Sequence, residues 1–266
     1  MLSDVDAYLK RIGLRAPAPL AVVHRAHATS IPFENFDPLM GRSPSLDVTR
    51  LEEKFVAHRR GGYCFEQNLL LKAALESMGT TDVTTYLARV RMGPVGAPRP
   101  LDHLLLRVVE DGVAWLADVG FGGGGLLDPV PFTISAEVDQ SGWRYRLIED
   151  GEEHVLQTFQ DGEWVDCYGF VPTPVPLVDI EVANWFTSTH PTSPFVTGVF
   201  VGARRVDRCL SLMTSETPVL IERAVGGPSV VSTPGLDEVP GILDSRFGIG
   251  GVSRTPEGSF EIAVVG

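Results

Sequence analysis

The chain has 266 residues, 44% hydrophobic and 21% charged, with 22 Lys and Arg against 34 Asp and Glu for a net charge of −12. That composition suits a folded chain with a sizeable core and excludes a disordered one, and its acidic balance excludes a general nucleic-acid binder. No apolar run reaches the roughly 18 residues of a membrane span, the acidic Met1–Asp6 start lacks a signal-peptide pattern, and three scattered cysteines (Cys64, Cys167, Cys209) without a Cys-x-x-Cys pair suit a reducing, cytoplasmic setting with no metal site.

The first third reads as helices. Ser3 or Asp4 can cap a helix carrying Val5, Leu9 and Ile12 on one face, with Gly13 as its stop. Leu20–Ala28 predicts a second helix, broken near Pro32. Asp47 caps a third, with Val48, Leu51 and Phe55 turned inward, ending at Arg59-Arg60-Gly61-Gly62. A fourth starts near Cys64, runs through Phe65, Leu69, Leu75 and Met78, and stops at Gly79. Strands follow. Tyr86, Ala88, Val90 and Met92 alternate, a loop fills 94–100, and strands over 102–109 and 113–119 flank Asp111-Gly112, a strong hairpin signal. Asp150-Gly151 and Asp161-Gly162 predict further turns in a meander from Trp143 to Cys167. Pro172–Pro176 reads as a crossing segment. Short strands over 196–201, 206–212, 219–224 and 260–265 and one helix around 236–245 complete the chain. Helices followed by antiparallel strands predict an α+β fold rather than a doubly wound parallel sheet.

Cys64 follows two glycines and opens a helix. A thiol in a first helical turn feels the positive end of the helix dipole, and Arg59 and Arg60 could add to it, so the sulfur is placed to act as a nucleophile. An inert buried thiol is the plain alternative, and it is the reading for Cys167 and Cys209. A nucleophilic cysteine needs a base and an orienting group. With Asp111-Gly112 as a two-residue loop, Glu110 pairs with Val113, so Leu105 faces Asp118 and His103 faces Gly120. His103 and Asp118 then share a face as diagonal neighbours within side-chain reach. An odd loop would put them on opposite faces. After Asp118, the run Gly122–Gly125 could offer backbone amides to an anion, although it lacks the nucleotide-hydrolase pattern.

The remaining singular residues read as structural. His24 and His27 sit at i, i+3 on a helix without a third metal ligand nearby. His58 suits a helix C-terminus, and His154 and His190 read as surface or turn residues. Glu34 and Asn35 can satisfy buried backbone groups near the site, and Arg60 can pair with an acidic side chain. Trp115, Trp143, Trp164 and Trp185 read as core or rim.

Arg60-Gly61-Gly62-Tyr63-Cys64-Phe65-Glu66-Gln67-Asn68 resembles the active-site signature of the arylamine N-acetyltransferase family. Ile31-Pro32-Phe33-Glu34-Asn35 resembles its N-terminal motif, His103 and Asp118-Val119-Gly120-Phe121-Gly122 fall at its histidine and aspartate, and Asn184–Phe195 resembles a later motif. The resemblance is strong over 1–125 and weakens after about 200. It implies a cysteine-protease-like arrangement: a helical N-terminal domain (1–82), an antiparallel β-barrel domain (83–190) and a C-terminal α/β lid (191–266). It implies a Cys64-His103-Asp118 triad that takes an acetyl group from acetyl-CoA and passes it to an arylamine or arylhydrazine in a two-step exchange, with no permanently bound cofactor. Phe33, Tyr63, Phe121 and Phe195 would line the acceptor pocket, Gly122, Gly123 and Gly124 would lie near the CoA phosphates, and Glu34, Asn35 and Arg60 would support them.

Asp102, before His103, departs from the uncharged residue expected there and should point to the opposite strand face. A branch of the same family closes ansamycin macrolactams, moving a polyketide from an acyl carrier protein onto its own arylamine; the chemistry is the same and the donor differs. Peptidase or transglutaminase chemistry would need an open peptide groove, and an inactive binding module would need an unreactive Cys64. CoA is an anion and the chain is acidic, so moderate salt should leave acyl-CoA capture little changed unless the cleft mouth is locally positive.

Overall fold

Asp4 accepts the Ala7 amide and starts α1 (Val5–Arg11), and Gly13 turns the chain at φ 83°. The structure, a computed structural model, describes residues 1–92, 99–134, 137–214, 217–256 and 258–263. Most of the predicted 94–100 loop and the last two residues of the predicted 260–265 strand lie outside them. Helix α2 (Leu20–Ser30) and the short α3 (Phe36–Leu39) follow. Asp47 caps α4 (Val48–Glu52), which widens into a π turn over Glu53–Ala57 with Leu51 and Phe55 buried. Helix α5 (Cys64–Ser77) is the central one. Its face is buried along its length, first by Cys64, Glu66, Gln67 and Asn68 and then by Leu70, Leu71, Ala74 and Leu75.

Eight antiparallel strands form a nearly closed barrel in the order β4-β3-β2-β1-β8-β7-β6-β5. They are β1 (Val83–Val90), β2 (His103–Glu110), β3 (Val113–Ala117), β4 (Val130–Pro131), β5 (Glu137–Gln140), β6 (Trp143–Asp150), β7 (Glu153–Gln160) and β8 (Glu163–Phe170). The β2–β3 hairpin carries the predicted register, from Glu110 opposite Val113 to Leu106 opposite Ala117. Asp111 and Gly112 both take positive φ, 50° and 76°, as a two-residue turn matched to strand twist requires. One predicted turn is displaced: Asp150 pairs with Glu153, so the loop is Gly151-Glu152 rather than Asp150-Gly151.

Pro176 leads into α6 (Leu177–Thr189), a helix the sequence pattern does not reveal. Its outward face carries exposed Val178, Val182 and Trp185 beside Asp179 and Glu181, while Ile180, Asn184, Thr187 and Ser188 point inward. Apolar and polar residues stand on both faces, which hides the helical period. Trp185, read as core or rim, is 61% exposed.

The last part is a four-stranded antiparallel sheet, β9 (Phe200–Arg204), β10 (Arg208–Met213), β11 (Val219–Ala224) and β12 (Ser229–Ser232). A 3-10 turn (Pro194–Val196) precedes it, where the sequence predicts the start of a strand. Leu236–Glu238, α7 (Val239–Ile242) and a π turn over Leu243–Phe247 form the predicted late helix, and β13 (Val252–Arg254) pairs with β14 (Phe260–Ile262). Three apolar clusters result. One lies under the helices and reaches Leu104, Leu106 and Ala117, one lies inside the barrel, and one joins the last sheet to α7 and Phe36. Among the described residues no helix is long and apolar enough to cross a membrane.

Phe33 joins the parts, pairing with Gly62 on one side and Gly202 on the other. Gly202 also lies directly against the glycine run: a Cβ there would collide with the Gly123 amide, and one on Gly123 would collide with the Leu210 carbonyl. Backbone rather than side chain fills this seam. Gly202→Ala should therefore cost about 1–3 kcal/mol of stability through forced backbone movement, read from the midpoint of urea unfolding; an unchanged midpoint would show the seam opens freely.

Candidate active site

Gly61 and Gly62 place Cys64 by lacking side chains. A Cβ on Gly61 would strike the Pro32 carbonyl, and one on Gly62 would come within 2.5 Å of the Phe55 ring and 2.6 Å of the Glu66 carboxylate. The Tyr63 amide donates to Glu66 Oε2 (3.2 Å) and fixes the first turn of α5. Cys64 then lies at the helix start, 4% exposed, its thiol donating to the Asp102 carbonyl at 3.4 Å. Gly120 packs on it so closely that a Cβ there would fall 2.6 Å from Cys64 Cα.

His103 opens β2, and Asp118 follows β3 by one residue. Their side chains meet as the hairpin count predicts, His103 Nε2 to Asp118 Oδ2 at 2.8 Å, both fully buried. That contact leaves Nδ1 for the sulfur. Burial opposes charge on the ring, but Asp118 outweighs it and Cys64 adds in the same direction, so the His103 pKa rises to about 10. Burial likewise acts to raise the Asp118 pKa, but His103, Asn68 and the Gly120 amide outweigh it and hold the carboxyl below its usual range. The His103 ring is flanked by Tyr168 at 4.7 Å and Phe121 at 5.2 Å between centroids.

Two residues here were not singled out as site residues from the sequence. Asn68, one turn after Cys64, donates from Nδ2 to Asp118 Oδ1 (2.9 Å) and the Leu104 carbonyl (2.7 Å), and its Oδ1 accepts the Val119 amide (3.0 Å). His24, considered only as half of a metal pair, accepts the Asp118 amide at Nε2 (3.0 Å), and its Nδ1 meets the Leu127 carbonyl (2.9 Å). Burial holds both His24 and His27 below the usual imidazole pKa, and His27 is bonded instead to the Tyr8 hydroxyl and Gln67. The signal for Asn68 is its i+4 spacing from Cys64 on one helix face. His24 is 94 residues from Asp118 and has no local signal.

A cleft of about 460 Å³ opens over Cys64 and His103. Phe33, Phe121 and Phe195 line it, as do Gly122, Gly123 and Gly124. Tyr63 does not. It is completely buried, its hydroxyl bonded to Asn184 and its ring edge-on to Phe195, which stands before it. Glu34 accepts the Phe36 amide, and Asn35 bonds the carbonyls of Phe195 and Gly198 and the amide of Phe200, so Asn35 ties the N-terminal motif to the cleft wall. Arg60 spends its charge on Glu34 (2.8 Å) and Asp37 (2.9 Å), and Arg59 faces a separate 640 Å³ cleft, so neither serves the sulfur as the sequence suggested. Asp102 lines the Cys64 cleft with one carboxylate oxygen buried and unpartnered, its pKa raised by burial. His154, read as surface, lies on β7 between the rings of Phe132 and Phe170. Cys167 and Cys209 are buried in strands, and burial pushes the Cys167 thiol up to about 12.

The His103–Asp118 pair makes stability depend on pH. The folded pKa of about 10 lies above the ordinary 6.5. The contribution is complete below the unfolded value and is lost as pH rises through the folded one. Chemical denaturation should show stability falling from about pH 6.5 toward about pH 10, and His103→Gln should flatten that fall. A native curve as flat as the variant's would mean an uncharged ring.

Comparison with known proteins agrees with this geometry. The N-acetyltransferase family model matches residues 18–254. The arylamine N-acetyltransferase of Mycolicibacterium smegmatis is 42% identical over 211 residues, 76% of each chain. That of Mycobacterium tuberculosis is 34% identical over 99% of this chain and 95% of its own length. The solved structure of the Mycobacterium marinum enzyme in complex with CoA superposes with a TM-score of 0.86 at 35% identity, over 92% of this chain and 93% of that one. A helical unit carrying the cysteine, a nearly closed antiparallel barrel carrying the histidine and aspartate, and these matches together place the chain in the arylamine N-acetyltransferase family of transferases.

Proposed function

We propose that the chain transfers an acetyl group from acetyl-CoA to an arylamine or arylhydrazine through a thioester on Cys64. The observation that carries this is the sulfur at the start of α5 beside a ring that Asp118 holds by its far nitrogen. With the thiol proton held on His103 Nδ1, the Cys64 sulfur attacks the donor carbonyl. The tetrahedral intermediate collapses, the C–S bond to CoA breaks, and the imidazolium returns the proton to the departing CoA sulfur. An amine then attacks the Cys64 thioester. His103 takes a proton from the amine nitrogen and returns it to the Cys64 sulfur as the amide leaves. Asp118 orients the ring and steadies its charge in both halves. Backbone amides at the start of α5 would hold the oxyanion. Phe33, Phe121 and Phe195 give the aryl group flat apolar walls beside the sulfur.

The second reading keeps this chemistry and changes the donor to a carrier-bound polyketide, closed as a macrolactam. Aliphatic walls in the same cleft, from Val90, Met92, Leu212, Met213, Ile221 and Val231, favour a long apolar acyl chain. Incubation with acetyl-CoA, or with an acyl chain on holo carrier protein, followed by peptide mass spectrometry should reveal an acyl adduct on Cys64, and the donor that gives it separates the two readings. Iodoacetamide should block it, and His103→Gln should slow it by about 10²–10⁴-fold. A chain that no thioester acylates would defeat both.

A further inference from the structure

Arg204 on β9 and Arg223 on β11 both pair across β10 with Cys209, so the two arginines stand in one row on one face of the last sheet. Both are buried, 3% and 9% exposed. Their guanidinium carbons lie 4.1 and 5.3 Å from the centre of the same ring, Trp143. Among the described residues neither makes an ion pair with a carboxylate. Arg204 donates once, to the Tyr145 hydroxyl at 2.9 Å, and Arg223 once, to Gln160 Oε1. Arg204 Nε and Nη1 and Arg223 Nε are buried without a partner. Two like charges in one row with unmet donors are costly to bury unless an anion completes the site.

The site opens on the cleft. Arg223 lines it together with Gln160, Ser229 and Gly122–Gly124, and Arg223 Nη2 would lie 4.0 Å from a Cβ on Gly124. Arg204 stands behind, against Gly122, Gly125 and Gly202. A guanidinium fork next to the half-buried backbone of Gly122 and Gly124 suits phosphate in both shape and charge.

We infer that Arg223, with Arg204 behind it, is the charge-recognition end of the cleft and binds the phosphate on the pantetheine arm of the thioester donor. This rests on the proposed acyl transfer for its ligand. The phosphate is common to CoA and to a carrier protein's prosthetic arm. The pair also supplies positive charge inside the cleft of an otherwise acidic chain.

Calorimetry on the whole chain with 4′-phosphopantetheine and with pantetheine, which differ by one phosphate, tests it without any acyl transfer. The native chain should bind the phosphorylated ligand at least about tenfold more tightly. Arg223→Gln should erase that preference and Arg223→Lys should keep part of it. Gln160→Glu, which sets a carboxylate against Arg223 with little change in shape, should erase it even if the arginine variants fold poorly. Desulfo-CoA and holo carrier protein form two further arms, and the one whose affinity falls in Arg223→Gln identifies the source of the phosphate. Equal binding of the two small ligands by the native chain, or a preference that survives both charge-altering variants, would overturn the inference. A chain that shows the preference yet acylates no cysteine would support it and defeat only the acyl-transfer reading.

Discussion

A carboxylate taken fully out of water must be surrounded by donors, and Asp118 draws them from separate elements of the first half of the chain. His103 comes from β2, Asn68 from α5, and the Gly120 amide from its own loop. The Asp118 backbone amide is in turn accepted by His24 of α2. An ionised group left unpaired at such a depth would cost several kcal/mol, so the elements that carry these donors are held in register by it. The sulfur, ring and carboxylate are thus consequences of one electrostatic requirement as much as of apolar packing.

Much of this geometry is legible in the chain because it is local or obeys a simple period. The parity of the Asp111-Gly112 hairpin puts His103 and Asp118 on one face, and the helix that Cys64 opens begins after two glycines. The glycines act by the bulk they omit rather than by unusual dihedrals, since neither Gly61 nor Gly62 takes positive φ. Contacts of long separation are not legible. Nothing near His24 announces that it backs Asp118, and nothing near Arg60 announces that Glu34 and Asp37 absorb its charge. Helix α6 is hidden because apolar Val178, Val182 and Trp185 face solvent while polar Asn184, Thr187 and Ser188 face inward. The resemblance puts Tyr63 in the pocket, but a helix start turns consecutive side chains to different sides, and its ring lands behind Phe195.

Charge follows a related logic. The acidic total says little about the cleft, because cations and anions are sorted by depth. Beneath α5, Lys54 bridges Asp37 and Glu66 (both 2.6 Å) while Arg60 bridges Glu34 and Asp37, a closed network with its own balance. Burial there lifts the Glu66 carboxyl to about 7 against the pull of Lys54. Among the described residues Arg204 and Arg223 have no such counter-ions. Trp143, placed in the core by its apolar character, is the surface on which those two guanidiniums rest.

The contact between Gly120 and the Cys64 backbone has a bearing on how the molecule ages and fails. With no side chain between them, the helical bundle and the strands that hold the imidazole lie directly against each other where Cys64 sits beside His103. A slight slip of one against the other would part the sulfur from its ring without disturbing the secondary structure of either. Thiol reactivity is therefore a finer gauge of the docking of the two halves than any bulk spectroscopic signal, and loss of competence on heating or storage can precede loss of secondary structure.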